Sequence, residues 1–90
     1  GNENPPPLLY ADTLQDWPPK VVGNIHLKFF LEEGDRALEG IGFGLANRKS
    51  QIQKKNLPLR VAFTPQINMF LNKASIQLHV KDFQTDFLET

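Results

Sequence analysis

The residues that could carry out catalysis are few and far apart in this sequence. The two histidines, His26 and His79, are separated by 53 positions, and each lies where apolar and polar residues alternate. A catalytic metal site needs about three protein ligands, and no carboxylate is spaced to complete one with these histidines. The sequence has no cysteine, no phosphate-binding glycine loop and no HExxH motif. The chain itself is therefore predicted to have no catalytic residues and to hold no metal or other cofactor.

Lysines and aromatic residues supply the binding chemistry that remains. A single-stranded nucleic acid is bound by cations that contact phosphates and by aromatic rings on which bases stack. Lys28 and Phe30 lie on the same outward side of one alternating segment, and Trp17 falls in a predicted loop. The residues predicted to contact a nucleic acid are Lys20, His26, Lys28, Phe30, Arg36, Arg60, Phe70, Lys73, His79 and Lys81.

Charge is distributed unevenly along a chain whose formal net charge is zero. Residues 1–39 contain seven acids and three bases, whereas residues 40–81 contain seven bases and no acid. A basic stretch of this length favours a positive surface for a polyanion. The alternative is a solvated surface with scattered lysines, and an outward Phe30 could equally pack under a loop or against another domain.

Alternation of apolar and polar residues predicts five strands. They cover Leu8–Leu14, Ile25–Leu31, Arg36–Phe43, Leu59–Thr64 and Ala74–Phe83, with one helix at Leu45–Lys55. Proline cannot donate to a strand ladder, so interruptions are expected at Trp17–Pro19 and at Pro65, and Pro58 is expected to stop the helix. The predicted core residues are Leu27, Phe29, Ile41, Phe63, Ile76 and Leu78, with Ile25 on the same side as Leu27.

Ninety residues are enough for one small domain. Five strands with one short helix between the third and fourth predict an all-β, five-stranded OB-fold barrel, because closure hides the sheet edges. An Sm-like or SH3-like barrel is the alternative. We expect a Pro-rich lead or connector over residues 1–7, the barrel over 8–84 and an acidic tail over 85–90. The sequence has no membrane-spanning run and no signal peptide, and it lacks an initial methionine, so we expect a processed chain or a piece of a longer one.

Several segments, taken in order, carry a family resemblance. They are GxxHLK at Gly23–Lys28, GIGFG at Gly40–Gly44 and SxQLxxKDF at Ser75–Phe83. Together they resemble the OB-fold domain of bacterial RecJ, the single-stranded-DNA-specific 5′→3′ exonuclease, over residues 2 to 84. The chain departs from that pattern at Phe70–Asn72, where the family commonly has Trp followed by Asn-Gly.

The resemblance implies a single-stranded-DNA-binding module that holds the substrate strand for catalytic domains of the same parent chain. Those domains would contain the Asp-His-His motifs that bind Mn²⁺ or Mg²⁺, which are missing here. It also implies a cytoplasmic bacterial hydrolase of DNA repair and recombination. The alternative is an OB-like docking module that packs on the nuclease core or a partner protein without contacting DNA.

The dispersed acids and histidines predict that this chain alone does not degrade DNA, even with Mn²⁺. The measurement is gel analysis of a labelled oligonucleotide incubated with the purified chain. Degradation that disappears in a His26→Ala/His79→Ala variant would contradict the prediction, because it would locate a nuclease site in this chain.

Overall fold

Strong apolar alternation builds a β-barrel in the computed structural model, which describes residues 6–87. The elements are β1 (Leu9–Val22), β2 (His26–Glu33), β3 (Arg36–Gly42), a 3-10 helix (Ala46–Ile52), β4 (Leu57–Phe70) and β5 (Lys73–Gln84). The strands close in the order β1-β2-β3-β5-β4. The predicted all-β, five-stranded OB-fold barrel, with a short helix between the third and fourth strands, is thereby confirmed. Most of the predicted lead (residues 1–5) and half of the predicted tail (residues 88–90) lie outside the described residues.

Closure depends on one short parallel contact. All other neighbouring strands pair antiparallel, whereas β3 and β5 pair in parallel at Gly40–Leu78 and Ile41–His79 alone. Gly40 and Gly42 stand opposite Phe29 and Leu27 on β2. A Cβ on Gly42 would lie 2.6 Å from Cδ1 of Leu45 and 3.0 Å from Cε1 of Phe29, so the missing side chain leaves space for both residues inside the barrel.

β1 continues without a break through Trp17–Pro19, where the sequence predicted an interruption. Its pairing with β2 shifts register between Gln15 and Trp17 and again between Trp17 and Lys20. Bulges leave residues outside the ladder, so prolines at this point remove no hydrogen bond that the sheet requires.

β4 likewise continues past Pro65 to Phe70, and the predicted end at Thr64 is wrong. β1 pairs with β4 only as far as Leu9–Phe63, so Pro65 lies on an edge where its missing N–H is tolerated. The longer strand forms a β4–β5 hairpin that extends beyond the barrel. Leu71 and Asn72, both with positive φ, form its turn.

The helix is shorter than predicted. Only Ala46–Ile52 is helical, in the 3-10 form, and Pro58 belongs to β4 instead of ending a helix. Ile52 is its one buried residue and joins the core. The narrow apolar stripe explains this difference, since one anchoring side chain supports little more than a turn or two of helix.

The core consists of buried side chains from β2, the helix, β4 and β5. They are Leu27, Phe29, Leu31, Ile52, Leu59, Val61, Leu78, Val80 and Phe83. Leu27, Phe29 and Leu78 were predicted correctly, whereas Ile41 and Phe63 are only half-buried. Ile76 and Ile25 are 55% and 57% exposed, because Ile76 lies on the projecting hairpin and Ile25 precedes β2.

Truncation of Leu27 tests which residues hold the barrel together. Leu27→Ala removes a fully buried side chain and should lower the free energy of unfolding by about 2–5 kcal/mol, as measured by urea denaturation. Ile25→Ala, the exposed neighbour, should change it by about 0.5 kcal/mol or less. Equal losses in the two variants would show that the side of β2 that faces the core is assigned wrongly.

Candidate nucleic-acid interface

The outward side of β2 is set by its buried side. Because Leu27 and Phe29 fill the core, Lys28 and Phe30 must point outward, and both are half-buried. The register with β1 brings Lys20 beside Lys28 and Trp17 beside Phe30. The side chains of two adjacent strands thereby combine into one surface.

Ammonium groups and aromatic rings alternate on this surface. The Nζ atoms of Lys20 and Lys28 each lie 5.8 Å from the centre of the Phe30 ring. The Nζ of Lys55 lies 4.2 Å from the Trp17 ring. We call these five residues the aromatic strip. A cleft of about 390 Å³ opens between the rings and is lined by Trp17, Pro18, Lys20 and Phe30.

A second aromatic group lies where β3 and β5 meet. Phe43 is exposed and packs edge-on against His26 and His79, with ring centres 5.1 and 5.3 Å apart. Nδ1 of His26 accepts a hydrogen bond of 2.9 Å from the Gly44 N–H, which orients the imidazole. We call the three aromatic residues the His–Phe–His stack. It brings together the two histidines that are distant in sequence.

The β4–β5 hairpin continues this surface beyond the barrel. Cross-strand partners point to the same side of a sheet. The side that carries His79, opposite Thr64, continues along the hairpin to its tip, where Phe70 lies opposite Lys73. Phe70 is 73% exposed. Between these ends lie Gln66 opposite Gln77 and Asn68 opposite Ser75.

Three of the predicted binding residues, Arg36, Arg60 and Lys81, lie outside the aromatic strip, the His–Phe–His stack and the polar side of the hairpin. Arg60 donates hydrogen bonds of 2.7 and 3.1 Å to both carboxylate oxygens of Asp12, on the β1–β4 side of the barrel. The hydrogen bond from Arg60 lowers the pKa of Asp12. Arg36 begins β3 opposite Glu33, and Lys81 is exposed near the end of β5.

Three residues of this surface were absent from the predicted set: Trp17, Phe43 and Lys55. Trp17 was placed in a loop, although its exposure was anticipated. Phe43 follows a glycine and precedes another, a pattern typical of a turn that exposes its side chain. No sequence signal places Lys55 over Trp17, because they are 38 positions apart and meet only through the fold.

Acidic side chains border the aromatic strip on β3, where Glu39 lies opposite Phe30, and toward the β2–β3 turn. Oε2 of Glu39 lies 3.2 Å from Nζ of Lys28. A hydrogen bond with Asp16 raises the pKa of Glu32 above its ordinary value of 4.5, with burial adding to the effect. Negative charge at this border limits where a polyanion can lie.

The basic residues of the helix are partly committed to structure. Arg48 donates to Asp82 at 2.5 Å and to the Phe83 carbonyl at 3.1 Å, and its guanidinium lies 3.9 Å from the Phe83 ring. This packing attaches the helix to β5. Among residues 6–87, no group of three or more His, Cys, Asp or Glu could hold a metal ion. No helix of that same stretch is long and apolar enough to cross a membrane.

The paired carboxyls give a pH-dependent prediction. The folded pKa of Glu32 is raised, so proton uptake favours the folded state as the pH falls through that pKa from neutrality. Asp16→Asn should lower the pKa of Glu32, as followed by NMR titration of its side-chain carboxyl carbon. Asp12→Asn is the control and should leave it unchanged. A wild-type midpoint for Glu32 below 4.5 would contradict the assignment.

Comparisons with known proteins agree with this architecture. Residues 1–82 match the family model described as the RecJ OB domain. Among solved structures, the SSB domain of a Synechococcus sp. protein superposes with a TM-score of 0.69 at 12% identity, covering 92% of this chain and 98% of that one. At that identity the likeness shows the fold alone. No curated protein matches this chain in sequence. The family match spans nearly the whole barrel, and this chain belongs to the RecJ OB domain family.

Proposed function

We propose that this chain is the single-stranded-DNA-binding module of a RecJ-type 5′→3′ exonuclease and holds the substrate strand for a catalytic domain outside the chain. The observation that carries the proposal is the aromatic strip, where three ammonium groups lie 4.2–5.8 Å from two outward aromatic rings. Membership of the RecJ OB domain family supports the same function.

The strip suits unpaired bases. Bases stack on the faces of Trp17 and Phe30, while phosphates approach the neighbouring ammonium groups. A duplex keeps its bases stacked on one another, so it can use only the cations. The surface therefore favours a single strand over a duplex of equal length.

The DNA strand follows a path that acidic side chains limit. Glu39, which lies opposite Phe30 on β3, and the Asp16–Glu32 pair, nearer the β2–β3 turn, repel phosphates. The direction that these acids leave open to DNA leads from the strip across β3 to the His–Phe–His stack. From there it follows the polar side of the hairpin to Phe70. Along this path bases meet further rings at Phe43 and Phe70.

A docking role for the same surface is less favourable. A protein partner covering Trp17 and Phe30 would also bury the ammonium groups of Lys20 and Lys55, for which the structure shows no carboxylate partner among residues 6–87. Burial of unpaired charges costs several kcal/mol per ion, by order of magnitude. The phosphates of a bound DNA strand supply the anions for Lys20 and Lys55.

The exonuclease activity that we propose for the parent protein rests on membership of the family. Hydrolysis would take place in catalytic domains that bind Mn²⁺ or Mg²⁺ and belong to the same parent chain, in bacterial DNA repair and recombination in the cytoplasm. The part of this chain that the structure describes offers no ligand set for such an ion. Its residues contribute binding and orientation of the strand.

Two substitutions on one strand separate stacking from charge. Phe30→Ala should weaken binding of labelled oligo-dT by about 1–3 kcal/mol and leave the slope of log K against log salt unchanged, because stacking releases no counterions. Lys28→Ala should cost less and make the slope shallower by about 0.7. Fluorescence anisotropy at several salt concentrations measures both effects.

Tyr10→Ala is the matched control for Phe30→Ala. Tyr10 is exposed and lies on β1 opposite Ala62, away from the strip, so its loss should leave binding unchanged. If neither Phe30→Ala nor Lys28→Ala changes binding, the proposed surface is wrong. A DNA path would then follow the basic residues around the helix, at Arg48, Lys49, Lys54 and Lys55, of which Lys55 also contacts the Trp17 ring.

Neutralising the acidic border should strengthen binding. Glu39→Gln removes a negative charge and frees Lys28 for phosphate, so oligo-dT should bind up to about fivefold more tightly, the energy of an exposed ion pair. Glu33→Gln removes the same charge at the end of β2 and should have a smaller effect. A weaker complex with Glu39→Gln than with wild type would exclude a DNA path beside Lys28.

A further inference from the structure

The barrel has one covered end and one open end. The 3-10 helix lies near the start of β2, where the Ala46 N–H bonds to the Ile25 carbonyl at 3.0 Å. At the other end of β2 a cavity of about 1080 Å³ opens between β1, the β2–β3 turn and the β4–β5 hairpin. We call this cavity the barrel mouth. Its apolar lining includes Leu9, Leu31, Leu38, Phe63, Ile67 and Ile76.

The hairpin presents an apolar side to the barrel mouth. Its pairs on this side are Pro65–Leu78, Ile67–Ile76 and Met69–Ala74, opposite to the polar pairs of the DNA path. Ile67 and Met69 are 65% and 66% exposed. Apolar side chains clustered beside a cavity mark a binding surface for a protein.

Two strand edges face each other across the barrel mouth. β3 and β5 pair only at Gly40–Leu78 and Ile41–His79, so Arg36–Glu39 and Lys73–Gln77 have no partner strand between them. β5 contains no proline, and its edge keeps every backbone donor. β4 has Pro65 on its own free edge. Unpaired ladder groups on a strand edge bind an extended backbone.

The charges around the barrel mouth are mainly negative. Its charged lining residues are Asp12, Glu32, Glu33 and Arg36. Arg60 pairs with Asp12, but Glu32 lies beside another carboxylate, Asp16. An occupant with lysine or arginine complements this border, whereas DNA is repelled from it.

We propose that the barrel mouth binds an extended segment of a partner protein by strand addition to β5 at Lys73–Gln77. Alternate apolar side chains of the segment enter the mouth, and a lysine or arginine lies against its acidic border at Glu33. The surface lies on the apolar side of the hairpin, so the partner and the DNA strand can be bound together.

The test uses a synthetic peptide of alternating valine and lysine, long enough to pair with Lys73–Gln77. It should bind in calorimetry and shift the backbone amide NMR signals of Lys73–Gln77 and Arg36–Glu39. Two matched peptides separate the contributions. One replaces lysine with glutamate, and the other carries N-methyl groups on alternate backbone amides, which remove the ladder donors. Both should bind much more weakly.

Two protein variants localise the binding. Ile76→Ser should weaken binding of the valine–lysine peptide about five- to tenfold, because an apolar contact in the mouth is lost. Ile25→Ser, at the covered end and of nearly equal exposure, should leave it unchanged. Neither variant should alter oligo-dT binding.

Several outcomes would overturn the proposal. They are equal binding of the glutamate peptide, undiminished binding of the N-methylated peptide, and shifts confined to the aromatic strip. Concentration-dependent dimerisation that Ile76→Ser abolishes, without peptide binding, would assign the mouth to a second copy of this chain instead.

Discussion

The placement of Phe29 inside the barrel, against two glycines of β3, is the constraint on which the rest of the structure depends. Gly42 leaves space for the Phe29 ring, and Gly40 leaves space for Val80 of β5. Phe29 also packs edge-on against Phe83, with ring centres 5.8 Å apart. Helped by that space, β3 approaches β5 closely enough to form the parallel contact that closes the barrel. The same orientation turns Lys28 and Phe30 outward, so packing of the core determines the binding surface.

Because β3 and β5 pair at only two positions, the β4–β5 hairpin keeps two exposed sides that differ in their side chains. Beyond Gly40 and Leu78 the strands β3 and β5 separate, so the hairpin continues with two solvated sides and an unpaired edge. One side carries the amide, hydroxyl and lysine side chains of the proposed DNA path, and the other carries apolar side chains, of which Ile67 and Ile76 line the mouth. Acids from the first half of the sequence surround that mouth, whereas Lys55 from the basic second half reaches the aromatic strip. The surfaces that we propose for DNA and for a protein segment are therefore separate on one small barrel.

Alternation in the sequence by itself determined the five strands, the inward side of β2 and the outward pair Lys28 and Phe30. A two-residue period leaves no other arrangement for a strand with one buried side. Alternation could not determine where β1 and β4 end. Whether Pro18, Pro19 and Pro65 break a strand depends on bulges and on where the neighbouring strand stops, and both are properties of the assembled sheet.

Only the tertiary structure decided which distant residues meet. Lys55 lies over Trp17, and Phe43 joins His26 to His79, because barrel closure brings their strands together. The fold also decided that one predicted DNA contact, at position 60, pairs with a carboxylate and that one predicted core residue, at position 76, stays exposed. A sequence pattern records which side of its own strand a residue occupies. The partners across a closed barrel depend on register and on the length of each strand, which are set by the packing of the whole core.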